Sequence, residues 1–313
     1  MGNRIKWLKE RKTYLGGSDI AAILGESRET TKILGLTPFR TGVDVYLEKI
    51  SEEIRNFEDT PITRRGHLAE ELIAREYVAT LNVKVRRQKE LIRHREYPFL
   101  AVNIDRWVGD KEYILECKTV NSFADKKWGD EYTDQIPKEY LCQVAYYSAI
   151  TGVPKVDIAC LSGGVNFRIY TYKKNEELEE KLIRKARDFW INHIEARIPP
   201  EPVRYEDTLS LYPQSNGLEI TADEHVTEQI AELKRLMKVI NESEEEILKI
   251  KLSVQNLMRD NEVLLDKKGK TLVTWKNSPA RTVLDTEKFK KEHEELFKRY
   301  AKKANAGRRF IVK

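Results

Sequence analysis

The sequence predicts an α/β fold from three observations over residues 1–200. Two apolar runs flank the turn signal Gly109-Asp110-Lys111, a pattern that is typical of a β-hairpin. A helical segment at 138–150 lies between a proline and a glycine, which are common helix boundaries. A second strand pair at 156–161 and 167–172 follows, and a helix from Asn175 to about Arg197 closes this part of the chain.

Four helices and a basic strand are predicted before the first hairpin. Ser18 is a good N-cap for the second helix, and Gly25 is its expected end. In the fourth helix, an apolar stripe of Leu68, Leu72, Ile73 and Tyr77 is expected to face the core. The basic strand suits either a phosphate-lined cleft or a solvated edge protected by charge. The helices are predicted at 4–12, 18–24, 41–50 and 66–77, with a polar connector at 51–62 and the basic strand at 83–95.

The first hairpin contains the main candidates for catalytic residues. Glu116 and Lys118 are two residues apart on a strand, so they point to the same face, and pairing brings Asp105 level with Glu116. Two carboxylates and an ammonium suit a hard divalent cation and the orientation of an attacking water, as in phosphodiester cleavage. A surface hairpin with solvated charges is the alternative, because such spacings arise often in a chain that is 34% charged.

Two other residue pairs are candidates for a site. Arg11 precedes Gly16-Gly17, and Ser18 begins a helix whose N-terminus is suited to an anion. Taken alone, this pattern favours an ordinary capped helix beside a solvated arginine. Tyr140 and Gln143 share one face of the helix at 138–150, where such residues are usually structural.

Taken together, these motifs resemble YqaJ-type phage recombinase nucleases, which are relatives of phage lambda exonuclease within the PD-(D/E)xK nuclease superfamily. The resemblance implies a restriction-endonuclease-like core, in which a mixed central sheet is flanked by helices. One departure is an insertion near residues 26–35, which contains Arg28 and Lys32. The matching residues are Arg11, Gly16-Gly17-Ser18-Asp19-Ile20, Gly66, Glu70, Asp105, Glu116, Lys118, Tyr140 and Gln143.

The resemblance also assigns a metal site. It implies Mg²⁺, with Mn²⁺ as a substitute, bound by Asp105, Glu116 and the backbone carbonyl of Cys117. Glu70 is expected to hold a second metal or a water bound to it, with Glu71 as its solvated neighbour.

The remaining matched residues receive supporting roles from the same resemblance. Lys118 is expected to position the attacking water. Tyr140 and Gln143 are expected to lie against the active site. Arg11 and Ser18 are expected to contact the 5′ phosphate of the DNA.

The activity implied by this resemblance is 5′-to-3′ degradation of double-stranded DNA. Products carry 5′ phosphates, and the 3′ single-stranded overhangs serve recombination with a single-strand annealing protein. Ring-shaped homo-oligomers occur among such relatives. One alternative is an endonuclease or nickase with the same metal site. A second is a catalytically inactive DNA-binding or assembly protein.

Composition agrees with an intracellular protein. The formal net charge of +5 and the pI near 8.8 permit nucleic-acid binding without requiring it. The three cysteines form no CxxC motif, which argues against a zinc knuckle and favours reduced thiols. No apolar signal core or membrane-length run is present. These features, with the resemblance, predict a cytoplasmic protein of a phage or prophage.

The C-terminal part is predicted to be a separate extension. Pro199-Pro200-Glu201-Pro202 indicates a boundary, so the domains are expected at 1–200 and 221–313, joined by a linker at 201–220. Residues 203–219 are expected to be irregular. A long helix from Ala222 has a coiled-coil-like seam, which could fold as a hairpin near Asn241, pack on the nuclease domain or pack on another chain. A β-hairpin at 263–277 with Trp275 on its second strand, a charged helix at 285–304 and a strand at 308–312 follow.

Overall fold

The computed structural model describes residues 2–25, 40–53, 61–302 and 307–313. The predicted insertion near 26–35 and part of the connector at 51–62 lie outside the described residues. The chain divides into two compact units, Met1–Tyr212 and Pro213–Lys313, and each is described by itself.

A mixed sheet with the strand order β1-β4-β5-β6-β7 forms the centre of the first unit. Strands β5 and β6 are parallel, whereas the other neighbours are antiparallel. Strands β2 and β3 form a separate antiparallel pair. The strands are β1 Val85–Arg87, β2 Ile92–Arg93, β3 Ala101–Val102, β4 Arg106–Val108, β5 Tyr113–Val120, β6 Lys155–Ser162 and β7 Asn166–Lys173.

Helices cover both faces of this sheet, which confirms the predicted fold class. Helix α4 packs through Ile73, Ala74 and Tyr77 on one face, where it contacts the residues around Leu115. Helices α2, α3, α5 and α6 contribute to the core on the other face, around Ile114. The helices are α1 Gly2–Arg11, α2 Gly17–Leu24, α3 Gly42–Ile50, α4 Pro61–Leu81, α5 Lys138–Thr151, α6 Glu176–Phe189 and α7 Tyr205–Leu211, with a 3₁₀ turn at Ser122–Lys127 and a π-helical turn at Trp190–Glu195.

The hairpin between β4 and β5 sets the position of the predicted acids. Its turn needs positive φ angles, which are 62° at Gly109 and 64° at Lys111, and glycine adopts this conformation without steric cost. Arg106 pairs with Leu115, so the next step of the register places Asp105 level with Glu116. This geometry is the one that the sequence predicted.

Two local predictions in the first unit are wrong. Helix α2 is capped at Gly16 rather than at Ser18, because the carboxylate of Asp19 accepts a hydrogen bond of 3.1 Å from the Gly16 backbone N–H. The apolar stripe on α4 is also different, since Leu68 and Leu72 are 75% and 56% exposed.

The boundary region is more ordered than predicted. Residues 205–211 form helix α7 instead of an irregular segment. Asp207 explains this, because its buried carboxylate accepts hydrogen bonds from the backbone N–H groups of Val203 and Arg204 and from the hydroxyl of Thr41. This contact fastens the helix to the start of α3.

The second unit contains one long helix and a small hairpin. Helix α8, Glu224–Met258, is continuous, which excludes the predicted option of a turn near Asn241. The charged helix is interrupted at His293, residues 307–313 form no strand, and Trp275 lies just beyond β9. The elements are β8 Val263–Leu265, β9 Thr271–Thr274, α9 Thr286–Glu292 and α10 Glu294–Tyr300. None of the helices in the described ranges has the length and apolar composition that crossing a membrane requires.

Candidate active site

The carboxylates of Asp105, which directly precedes β4, and of Glu116, which lies within β5, are next to each other. Asp105 Oδ2 accepts a hydrogen bond of 2.8 Å from the backbone N–H of Cys117, which fixes its carboxylate against β5. Glu116 is only 4% exposed, and its Oε1 accepts hydrogen bonds from Lys118 Nζ at 2.6 Å and Gln143 Nε2 at 2.9 Å. The strand alternation and helix α5 therefore bring four of the predicted residues together.

The electrostatics of this group show an excess of negative charge. Burial, and then the charge of Glu116, raise the pKa of Asp105 well above its ordinary value, although the hydrogen bond from Cys117 opposes the shift. Burial acts to lower the pKa of Lys118, but the adjacent Glu116 raises it overall, so this side chain stays protonated. One ammonium group thus faces two closely spaced acids.

One oxygen of the site has no hydrogen-bond partner. Among the described residues, Glu116 Oε2 is a buried side-chain atom left without a donor, and such atoms are costly unless something binds them. Oxygen donors from two carboxylates are the ligands that Mg²⁺ or Mn²⁺ prefers, so the residues fit the predicted cation. No set of three or more His, Cys, Asp or Glu side chains in the described ranges is arranged to hold a metal. A cation here would therefore bind the two carboxylates, with backbone oxygen and water as further ligands.

Two side chains of helix α5 contact Lys118. Gln143 Oε1 accepts a hydrogen bond of 3.1 Å from Lys118 Nζ, which also lies 5.0 Å from the centre of the Tyr140 ring. Both residues thus lie against the site, where the resemblance placed them. Sequence analysis missed Tyr147, whose hydroxyl accepts a hydrogen bond from Gln143 Nε2. Its spacing of four residues from Gln143 on one helix was the signal that could have found it.

Glu70 is held by an arginine that the sequence analysis did not identify. Arg106 Nη1 donates a hydrogen bond of 2.7 Å to Glu70 Oε1, and Nη2 donates one of 3.0 Å to Glu71 Oε2. Glu71, predicted as a merely solvated neighbour, is 55% exposed but also accepts a hydrogen bond from Arg75. Glu70 therefore lies near the site with its carboxylate already engaged.

Arg11 and Ser18 are adjacent, as the predicted phosphate contact requires. Arg11 Nη2 donates to the exposed hydroxyl of Ser18 at 3.2 Å, and Arg11 Nε donates to Glu48 Oε1 at 3.1 Å. Because helix α2 is capped at Gly16 and not at Ser18, the Ser18 hydroxyl is left on the surface beside the guanidinium. The pair presents a cation and a hydroxyl at the start of a helix, which is a suitable arrangement for a phosphate.

A buried ion cluster holds this pair in place. Asp19 is fully buried between Lys49 at 3.0 Å, Arg40 at 3.0 Å and Arg11 at 3.4 Å. Burial acts to raise the pKa of Asp19, but Lys49 and the two arginines lower it to about 2. Lys49 Nζ also donates to the backbone carbonyl of Arg11 at 2.9 Å, so the cluster links α1, α2 and α3.

A close helix contact connects the Arg11–Ser18 pair to the carboxylate site. An ideal Cβ built at Gly17 lies 2.5 Å from the Tyr147 ring and 3.0 Å from Cγ of Gln143. Only glycine allows α2 to begin this close to α5. The helix that starts beside Ser18 therefore packs directly on the side chain that contacts Glu116 and Lys118.

Comparisons with known proteins include the family that the motifs resemble. Residues 6–154 match the family model of the YqaJ-like viral recombinase domain. The chain is 27% identical over 324 residues to the protein YqaJ of Bacillus subtilis, covering 99% of this chain and 94% of that protein. It is similar to an alkaline exonuclease from Laribacter hongkongensis, with a TM-score of 0.47, 17% identity and coverage of 62% of this chain and 93% of that chain. A phage-related exonuclease from Haemophilus somnus 129PT gives a TM-score of 0.41, 16% identity and coverage of 59% and 96%.

Proposed function

We propose that the chain is a metal-dependent exonuclease of double-stranded DNA, because residues 6–154 match the family model of the YqaJ-like viral recombinase domain. The proposed direction is 5′ to 3′, which leaves 3′ overhangs for a single-strand annealing protein. The observation that carries the proposal is the adjacent pair of carboxylates of Asp105 and Glu116. Among the described residues, Glu116 Oε2 has no hydrogen-bond partner, and Lys118 Nζ lies 2.6 Å from Glu116 Oε1. Buried acids in this arrangement are costly to a fold and suit the binding of a cation.

The side chains divide the proposed reaction between them. Asp105, Glu116 and the carbonyl of Cys117 would hold Mg²⁺, which when bound stabilises the negative charge that develops on the phosphate. Lys118, held by Glu116 and Gln143, would orient the water that attacks phosphorus in line with the departing 3′ oxygen. The attacking water loses one proton to solvent, the departing 3′ oxygen takes up a proton from solvent as its bond to phosphorus breaks, and the product keeps a 5′ phosphate.

The Arg11–Ser18 pair supports an exonuclease more than an endonuclease. The pair lies beside the first turn of α2, which packs on Gln143 and Tyr147 of the site. A terminal 5′ phosphate bound there would lie next to the carboxylates and set the bond to be cut. An internal phosphodiester, with a single negative charge and two esterified oxygens, makes poorer use of a guanidinium.

Digestion of matched linear and closed circular duplexes tests the function. With Mg²⁺ present, the linear 5′-phosphorylated duplex is expected to lose nucleotides from its 5′ ends, with 5′-phosphate products, while the circle stays intact. Equal cutting of the circle would replace the proposal with an endonuclease or nickase. No cleavage of either duplex with Mg²⁺ or Mn²⁺ would favour a catalytically inactive DNA-binding protein.

Substitution of Arg11 by glutamine is expected to remove the preference for phosphorylated ends. A charge-assisted hydrogen bond contributes about 1.5–3 kcal/mol, so the rate ratio of 5′-phosphorylated to 5′-hydroxyl duplex should fall by about 10–100-fold. Initial rates on the two duplexes give this ratio. Arg235→Gln is the matched control, because Arg235 is an exposed arginine on α8 that pairs only with Glu232 among the described contacts. An unchanged ratio in Arg11→Gln would show that Arg11 does not contact the end.

A further inference from the structure

We propose that the guanidinium of Arg106 provides the positive charge beside Glu70 that a second divalent ion would otherwise provide. The active site then holds one divalent ion rather than two. This inference rests on the proposed metal-dependent nuclease function. It differs from the expectation that the family resemblance gave for Glu70, which was a second metal or a water bound to it.

Arg106 is a buried guanidinium whose donors are directed at acids of the site. The residue is 4% exposed, and its Nη1 donates both to Glu70 Oε1 at 2.7 Å and to the backbone carbonyl of Asp105 at 2.9 Å. Its other terminal nitrogen, Nη2, donates to Glu71. A guanidinium is charged at every accessible pH and has a rigid planar geometry, so it serves as a fixed positive charge between these groups.

Glu70 and Glu116 approach the site from opposite faces of the sheet, so their carboxylates are not placed to bind one ion together. Helix α4, which carries Glu70, packs on the face of the sheet that Leu115 occupies. Glu116 and Lys118 point to the opposite face, toward Gln143 of α5. Glu70 thus reaches the end of the sheet near Asp105, where its carboxylate contacts Arg106, whose Nη1 also donates to the backbone carbonyl of Asp105.

Positive charge already surrounds the carboxylate of Glu70. Arg106 Nη1 lies 2.7 Å from Glu70 Oε1, and Arg87 Nη2 lies 3.7 Å from the same oxygen. A divalent ion bound to this oxygen would lie beside these guanidinium groups, and like charges at such distances repel each other.

Glu70 is therefore a positioning residue that acts through Arg106. The two hydrogen bonds from Arg106 to Glu70 and Glu71 connect the start of β4 to helix α4. They thereby fix the position of Asp105, which precedes Arg106. On this reading the loss of the Glu70 charge leaves metal binding at Asp105 and Glu116 in place. The loss of the Arg106 charge frees Glu70 to take a cation of its own.

Counting bound Mn²⁺ tests the inference without reference to cleavage. Calorimetric titration and the electron paramagnetic resonance of free Mn²⁺ give the number of ions per full-length chain. We expect one ion at the site in the wild type and in Glu70→Gln, and two in Arg106→Gln. Glu116→Gln is the control that should lose the first ion, and Arg106→Lys should retain one.

The outcomes separate this inference from the proposed function. Two ions in the wild type, or loss of an ion in Glu70→Gln, overturns the one-ion site even if the protein degrades DNA as proposed. One ion in a folded Arg106→Gln overturns the role of Arg106. Should Arg106→Gln fail to fold, as judged by thermal unfolding, the comparison of wild type with Glu70→Gln still decides the count. Absence of any Mn²⁺ that depends on Glu116 overturns both the metal-dependent function and this inference.

Discussion

Replacement of Glu116 by glutamine is expected to reduce cleavage of linear duplex DNA by at least about 1000-fold at saturating Mg²⁺. Glutamine keeps the size of the side chain and can still accept hydrogen bonds from Lys118 and Gln143. What it removes is the negative charge and the unpartnered oxygen that the cation is proposed to bind. The rate constant for release of labelled 5′ nucleotides measures the loss.

The stability of the same variant distinguishes a catalytic effect from misfolding. Burial, and then the charge of Glu116, raise the pKa of Asp105 well above its usual range. Removing one of the two acids therefore relieves repulsion between them. The midpoint of thermal unfolding without metal should therefore stay the same or rise. Glu112→Gln, in the exposed hairpin loop, is the matched control and should cleave at the wild-type rate. Near-normal cleavage by a folded Glu116→Gln would mean that the reaction occurs elsewhere.

The central hairpin was predictable because its information is local. A strand alternates its side chains with a period of two, so the order Leu115, Glu116, Cys117, Lys118 is enough to place the acid and the lysine on one face. The turn at Gly109 then fixes the register that brings Asp105 level with Glu116. These statements need only a short stretch of sequence.

Arg106 shows why the rest of the site could not be predicted. Its partners, Glu70 and Glu71, lie on helix α4, about 35 residues earlier in the sequence, and only the folded chain brings them into contact with Arg106. An arginine at the first position of a strand is normally solvated, and the neighbouring residues in the sequence do not indicate that Arg106 is buried. The family resemblance gave Glu70 a place near the site but not the identity of its partner.

The error on helix α4 has a different cause, which is that local periodicity allows two apolar stripes. On α4, a stripe through Leu68 and Leu72 and one through Ile73 and Tyr77 both have helical spacing. The sheet accepts only the second, because it needs the tyrosine hydroxyl beside Asp157, which accepts a hydrogen bond of 2.6 Å from it. Such long-range polar contacts are not encoded in local periodicity.

The buried cluster around Asp19 leads to the second large effect. Lys49→Met is expected to lower the free energy of unfolding of the first unit by about 3–5 kcal/mol, the usual cost of removing one partner from a buried ion pair. Both side chains are fully buried, and Lys49 also donates to the backbone carbonyl of Arg11. Urea unfolding followed by tryptophan fluorescence measures the change.

The double variant Asp19→Asn/Lys49→Met tests whether the ion pair is the cause. Since the two side chains interact directly, their effects should not add, and the double variant should lose less than the sum of the two single variants. Lys234→Met, on the exposed part of α8, is the matched control and should leave the unfolding of the first unit unchanged. Full additivity of the two single variants would contradict a direct pair.

The pH dependence of the same variants follows from the sign of the Asp19 shift. Burial opposes ionisation of Asp19, but Lys49, Arg11 and Arg40 lower its pKa from 3.8 to about 2. A lowered carboxyl pKa in the folded state contributes stability above the unfolded pKa, and this contribution is lost as the pH falls toward the folded value. The stability difference between wild type and Lys49→Met should thus shrink between about pH 4 and pH 2. A difference that stays constant across this window would mean that Lys49 stabilises the fold by packing and by its bond to Arg11, rather than through the charge of Asp19.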